Sequence, residues 1–279
     1  MKRAPCITAG QSTMQEAHTT PERVRAIITR PSPEIKEEFM NQALQAIAER
    51  YGVRPCRVPE FVPSGLPALD AVTGGIPVGR IVDIHGAEDS GKTALALALA
   101  RGTTLFLDGE CKLNPAYVRA PGRFWVMRPE TLEDALEVCR TAARGFDTVV
   151  LDSIEAFPIR EEQEVPLSDI FGSYDGSREK LLSHALPILA RELSASGCTL
   201  ILVNQMRNRM GVVYGRVDFS TGGRALGYYA ALRLELFRAG NEKTRQTVRV
   251  RASKCKYRTP YGTAELTLDY RRGWLGVTA

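Results

Sequence analysis

The eight residues Gly86-Ala87-Glu88-Asp89-Ser90-Gly91-Lys92-Thr93 follow the spacing G-x-x-x-x-G-K-[ST]. In that pattern a glycine turn wraps its backbone N–H groups around a phosphate chain. The lysine adds a point charge, and the hydroxyl after it serves as a ligand for Mg²⁺. The flanks carry as much weight as the letters. Arg80–His85 reads as a buried strand leading in, and Ala94–Ala100, apolar on every side, as a buried helix leading out. A strand, a glycine turn and a helix start aim several N–H groups and the positive helix end at one anion. A chance match in a glycine-rich turn lacks those flanks. The stretch therefore implies binding of a nucleoside triphosphate, with Gly86, Glu88, Asp89, Ser90, Gly91, Lys92, Thr93 and Ala94 around its phosphates.

Other groups fit the same chemistry. Asp152 ends the apolar run Thr148–Asp152, where a carboxylate can share Mg²⁺ with Thr93; the plainer reading is a strand-end cap. Hydrolysis also needs a carboxylate to orient water. Glu110 and Asp108, both at the end of the run Thr103–Asp108, compete for that role, and spacing alone barely separates them. Gln205 closes the run Cys198–Gln205, from which an amide reaches toward a γ-phosphate. The stretch from Met206 to Gly223 carries Arg207, Arg209 and Arg216 with no acid before Asp218, together with Tyr214, Phe219 and several glycines. Arginines interleaved with aromatics and glycines suit a nucleic-acid backbone and its bases, whereas a solvated loop has no need of them. Lys243, Arg245, Arg249, Arg251, Lys254, Lys256 and Arg258 crowd a second segment against Glu242. Part of that segment is expected to be the solvated face of alternating strands, and part to serve phosphate.

The elements that must hold these groups point to an α/β class. From Gly65 onward strands and helices alternate, as in a mostly parallel sheet. Helices are expected over Leu132–Ala143, over Ser177–Ser196 with a disturbance at Pro187, and over Gly222–Ala230. Leu232–Phe237, Thr247–Lys254 and Ala264–Leu268 alternate like antiparallel strands. Upstream, Phe39, Ala43, Leu44, Ile47 and Ala48 form one apolar stripe on a helix from Glu34 to Tyr51. Such a stripe can pack on its own domain or dock on a neighbouring subunit. A linker follows, and residues 1–33 read as a loose arm.

A length of 279 residues allows one large α/β domain and an accessory piece. No apolar run approaches the roughly 18 residues of a membrane helix. The start Met1–Cys6 has no apolar segment, so a cytoplasmic location with no membrane partner is expected. The six cysteines are scattered without a C-x-x-C pair, which favours free thiols. The net charge of +5 permits a polyanionic partner without requiring one.

Read together, these segments resemble the bacterial RecA recombinase family. Ser64-Gly65, Leu69-Asp70 and Gly74–Val82 match its stretch before the phosphate loop. Phe106–Glu110 with Leu113–Tyr117, Val149–Ser153, Val203–Arg207 and Thr221–Leu226 match its later blocks. The resemblance implies a RecA-like P-loop ATPase core over residues 63–279, without the family's small C-terminal domain. The N-terminal helix and linker over 34–62 would pack on a neighbouring subunit and build a helical filament. It assigns ATP and Mg²⁺ as cofactors, Glu110 as the catalytic carboxylate, Tyr117 as the residue stacked on adenine, and Asp152 as the metal-organising acid with Ser153 as its neighbour in the ATP site. Gln205 would sense the γ-phosphate, and Lys254 and Lys256 would reach the ATP of an adjacent subunit. Arg207, Arg209, Gly211, Val212, Tyr214, Arg216, Gly222 and Gly223 would belong to a DNA-binding loop, with another DNA loop within Glu162–Gly176. The implied partners are single-stranded DNA, duplex DNA during pairing, and further copies of the chain, in recombination and repair. Two departures stand out: Asn114 where an Asp is usual, and Gly227 where a Lys is usual. The alternative reading is a regulatory relative of the DNA-damage response.

Overall fold

Runs of Val, Ile and Leu with both faces apolar need cover on both sides, and three such runs form the middle of the fold. Strands β3 (Ile81–Gly86), β4 (Thr104–Asp108) and β6 (Thr148–Asp152) are buried along their whole length, as parallel strands between two helical layers must be. The computed structural model describes residues 33–51, 59–113, 122–163, 176–208, 218–220 and 223–275. The chain divides into two compact units, 1–57 and 58–279.

In the first unit, α1 (Pro33–Tyr51) carries Glu34 in its first turn and Arg50 in its last, each complementing the helix dipole. Phe39, Met40, Leu44 and Ile47 are exposed along it.

In the second unit, a short ribbon pairs β1 (Phe61–Val62) with β2 (Ile76–Pro77), bracketing α2 (Pro67–Thr73). The main sheet adds β5 (Phe124–Met127), β7 (Thr199–Asn208), β9 (Leu232–Asn241), β10 (Arg245–Cys255), β11 (Thr263–Asp269) and β12 (Gly273–Trp274). Its order is β12-β11-β10-β9-β3-β7-β6-β4-β5. From β9 to β5 the pairings are parallel; from β9 to β12 they are antiparallel, with register shifts in β10 at Thr247/Val248 and Ala252/Lys254.

Alternate side chains feed two cores. One packs α3 (Lys92–Leu99) against Val82, Ile84, Leu234, Val248, Val250 and Trp274, so the antiparallel strands wrap the helix that is apolar all round. The other packs α4 (Leu132–Ala142), α6 (Ser177–Ser196) and α7 (Gly223–Tyr229), with the short α5 (Arg160–Gln163) between the first two in sequence, against Leu105, Leu107, Val149, Leu151, Leu200 and Leu202. Thr131 caps α4 by accepting from the Asp134 N–H at 3.1 Å. Inside β3, Asp83 is fully buried, and Arg233 Nε of β9 donates to it at 2.7 Å.

Two expectations change. α6 runs unbroken through Pro187, because buried Leu186 and Leu189 on either side hold it on the core while one backbone bond is forgone. The stretch after Gln205 does not begin as a loop: β7 continues to Asn208 and pairs antiparallel with β8 (Asp218–Ser220), forming the feet of a hairpin.

Candidate nucleotide site

The parallel registers bring the sequence candidates to one edge of the sheet. Gly86 lies beside Gln205, and Asp108 beside Asp152, so the ends of β3, β6 and β4 gather at one edge that β7 passes at Gln205. That is the edge where open α/β sheets hold ligands. The glycine-rich loop joins β3 to α3 there. A Cβ on Gly86 would meet the Leu236 carbonyl oxygen at 2.6 Å, so only glycine fits. Gly91 has φ +86° and begins α3 with no side-chain cap, which leaves the first-turn N–H groups for an anion. Ser90 Oγ is buried with no hydrogen-bond partner among the described residues.

Thr93 Oγ1 donates to Asp152 Oδ2 at 2.5 Å. Burial pushes the Asp152 carboxyl up to about 6, with Glu110 and Asp108 adding repulsion against the pull of Thr93 and Lys92. Burial lowers the Lys92 ammonium, while Asp152, Glu110, Glu155 and Asp89 hold it charged. Lys92 Nζ donates to the Ala87 carbonyl at 2.8 Å. Among the described residues no group of three or more His, Cys, Asp or Glu forms a preformed metal cage. The donor set fits Mg²⁺, which takes one or two protein oxygens and completes its shell with phosphate and water.

The geometry separates the two competing carboxylates. Asp108 is buried and fully engaged. Arg128 donates to its Oδ2 from Nε at 3.2 Å and Nη2 at 3.0 Å, and the backbone N–H groups of Lys112 and Leu113 donate at 3.2 and 3.3 Å. Glu110 stays reachable from solvent. Ser153 Oγ and Gln205 Nε2 both donate to its Oε1 at 3.4 Å, and Lys112 pairs with its Oε2 at 3.4 Å. The Asp152–Ser153 peptide that carries Ser153 is cis.

Other candidates lie elsewhere. Lys254 pairs in register with Arg233, which sits beside Asp83, three residues before the loop begins at Gly86. At about 3.3 Å per residue, Lys254 and Lys256 sit toward the opposite edge of the sheet. Lys254 Nζ donates to the carbonyls of Gly227 and Tyr228, at 2.6 and 2.9 Å, closing the end of α7. Burial lowers its pKa to about 8, helped by Lys256 and Arg233. Arg245, Arg249 and Arg251 pair across strands with Asp269, Glu265 and Glu235, as a solvated strand face would. Arg207 lies on β7 opposite Phe219, and Gly223 opens α7. Tyr117, Arg209, Gly211, Val212, Tyr214, Arg216 and Gly222 lie outside the described residues, as do 164–175 of the other predicted DNA loop.

Sequence reading overlooked Arg128, Arg238, Gln246 and Trp274. For Arg128 a signal existed: it follows the apolar run Phe124–Met127, the same strand-end position that drew attention to Asp108 and Asp152.

The comparisons with known proteins agree with this geometry. The family model of the RecA N-terminal domain matches residues 29–275. Protein RecA of Deinococcus radiodurans is 38% identical over 235 residues, covering 77% of this chain and 64% of that protein. Protein RecA of Thermus thermophilus is 36% identical over 268 residues, covering 86% of this chain and 78% of that protein. The crystal structure of the RadB recombinase shares the fold at a TM-score of 0.57 and 19% identity, covering 77% of this chain and 98% of that one. The chain belongs to the RecA family.

Proposed function

We propose that this protein is an ATP hydrolase that assembles into a helical filament on single-stranded DNA and carries out homologous pairing and strand exchange with duplex DNA. The observation that carries the reading is the meeting of Lys92, Thr93, Asp152, Glu110 and Gln205 at one sheet edge, with Glu110 free of the bonds that occupy Asp108. Thr93 and Asp152 would hold Mg²⁺, which neutralises charge on the β- and γ-phosphates when bound. Lys92 exchanges the Ala87 carbonyl for phosphate oxygens. Glu110 orients the attacking water and takes its proton. Gln205 stands between Glu110 and the hairpin that begins on the same strand, so loss of the γ-phosphate is felt by that hairpin. The arginines and aromatics of 206–219 then hold the DNA backbone and bases, and base pairing reads the sequence.

The test is ATP hydrolysis with and without unstructured single-stranded DNA, beside Lys92→Ala. Several-fold stimulation that rises cooperatively with protein concentration, abolished in the variant, is expected. Hydrolysis indifferent to DNA in folded protein would turn the reading to a regulatory relative.

A further inference from the structure

The phosphate loop has a second wall, built by the antiparallel strands. Gln246 of β10 is buried, and its Nε2 donates to the Asp89 carbonyl at 2.8 Å. Its Oε1 accepts from Tyr270 Oη at 3.4 Å, which fixes which end of the amide faces the loop. Arg238 of β9 donates from Nη2 to the same carbonyl at 3.2 Å and to the Glu88 carbonyl at 3.5 Å. Asp89 itself sits at φ +54°, a left-handed conformation uncommon for a residue with a side chain, though Asp tolerates it better than most. Behind the loop, the Trp274 ring and Leu268 lie 3.5–3.7 Å from where a Cβ on Gly91 would stand.

We propose that Gln246, seconded by Arg238, is a positioning residue of the phosphate loop. The reason is the planarity of the peptide. In a trans peptide the carbonyl and the following N–H point in opposite directions. A donor that draws the Asp89 carbonyl outward turns the Ser90 N–H inward, and one on the Glu88 carbonyl does the same for the Asp89 N–H. Those N–H groups are among the ones a triphosphate needs. The wall therefore pre-arranges the anion site, so that binding does not have to order it. This inference rests on the reading that the loop binds a nucleoside triphosphate.

The experiment compares wild type, Gln246→Met and Arg238→Ala by calorimetric titration with Mg²⁺–ADP and by ATP turnover, with thermal melts to verify folding. Methionine keeps the volume and removes the donor. Gln246→Met is expected to raise Kd and the KM for ATP about tenfold, the cost of one lost buried hydrogen bond, with kcat within about twofold because Glu110 and Gln205 are untouched. A lower Tm with KM unchanged would mean a purely structural role and overturn the proposal. Should Gln246→Met not fold, Arg238→Ala decides, since its side chain is half-exposed: a KM about threefold higher supports the proposal, and an unchanged one overturns it. Wild-type protein that binds no Mg²⁺–ADP would instead remove the nucleotide reading beneath it.

Discussion

Asp108 and Glu110 lie two residues apart, yet their surroundings differ. Four hydrogen bonds hold Asp108 in place, and its burial keeps it from solvent water. Glu110 keeps a partly exposed carboxylate whose charge acts on Lys92 and Asp152. Glu110→Gln is therefore expected to bind ATP and DNA as wild type does while turnover falls by about 10² or more; normal turnover would take Glu110 out of the chemistry. Asp152 makes a separate prediction about pH. Its folded pKa of about 6 lies above the ordinary 3.8, because the folded state holds the proton more tightly. As pH falls through about 6 the carboxylate is protonated and, in the proposed role, could no longer serve Mg²⁺. Affinity for Mg²⁺–ADP should drop across that window, while affinity for ADP in chelator should not. Stability has the opposite sign: this group's contribution grows as pH falls from about 6 toward 3.8, where the unfolded chain takes up the proton as well. Titrations at several pH values, repeated with Asp152→Asn, check both statements; the variant should lose the metal-linked slope.

At the scale of elements, the loop is only as well placed as the strand that delivers it. β3 is joined to β9 by main-chain pairing and by the Arg233–Asp83 ion pair, whose carboxylate is fully buried. Arg233→Met would leave that carboxylate beside the His85 imidazole, whose Nδ1 lies 3.1 Å away. A loss of about 3 kcal/mol in urea unfolding is expected, the scale for removing one partner from a buried pair; an unchanged midpoint would show that the pair adds nothing. The elements that hold the site were also the most legible ones. β4, β6 and the first part of β7 are continuous apolar runs ending in Asp or Gln, β3 is apolar but for Asp83 and His85 before its Gly, and burial on both faces leaves that pattern no other use. β5 was missed because it is four residues long and sits at the sheet edge, with Trp125, Val126 and Met127 exposed. Pro187 misled because local backbone cost was weighed without the leucine packing around it. The second wall of the phosphate loop was out of reach for a different reason. Gln246 is 157 residues from Asp89 in sequence, and they meet because β9 and β10 follow β3 in the sheet, an order that no local pattern encodes.

At the scale of the whole molecule, the proposed filament makes a testable demand on Lys254 and Lys256. Both lie toward the end of the sheet opposite their own phosphate loop, so in the proposed filament they would serve another copy's ATP. An interface that joins the loop face of one subunit to the lysine face of the next is head-to-tail, and repetition of such an interface grows a filament. Lys254 also caps α7, the helix that follows the hairpin, so drawing its ammonium onto a neighbour's phosphate would release the end of that helix and pass the nucleotide state toward DNA. The arrangement predicts complementation. Lys92→Ala lacks its own site but offers an intact Lys254, and Lys254→Ala has the reverse defect. Each alone should hydrolyse ATP poorly on single-stranded DNA. Mixed one to one, about a quarter of the interfaces pair an intact loop with an intact lysine, and activity should rise above the average of the two separate proteins. A mixture that never exceeds that average, while each variant still sediments with DNA, would place Lys254 in its own subunit's architecture and leave the nucleotide site complete within one chain.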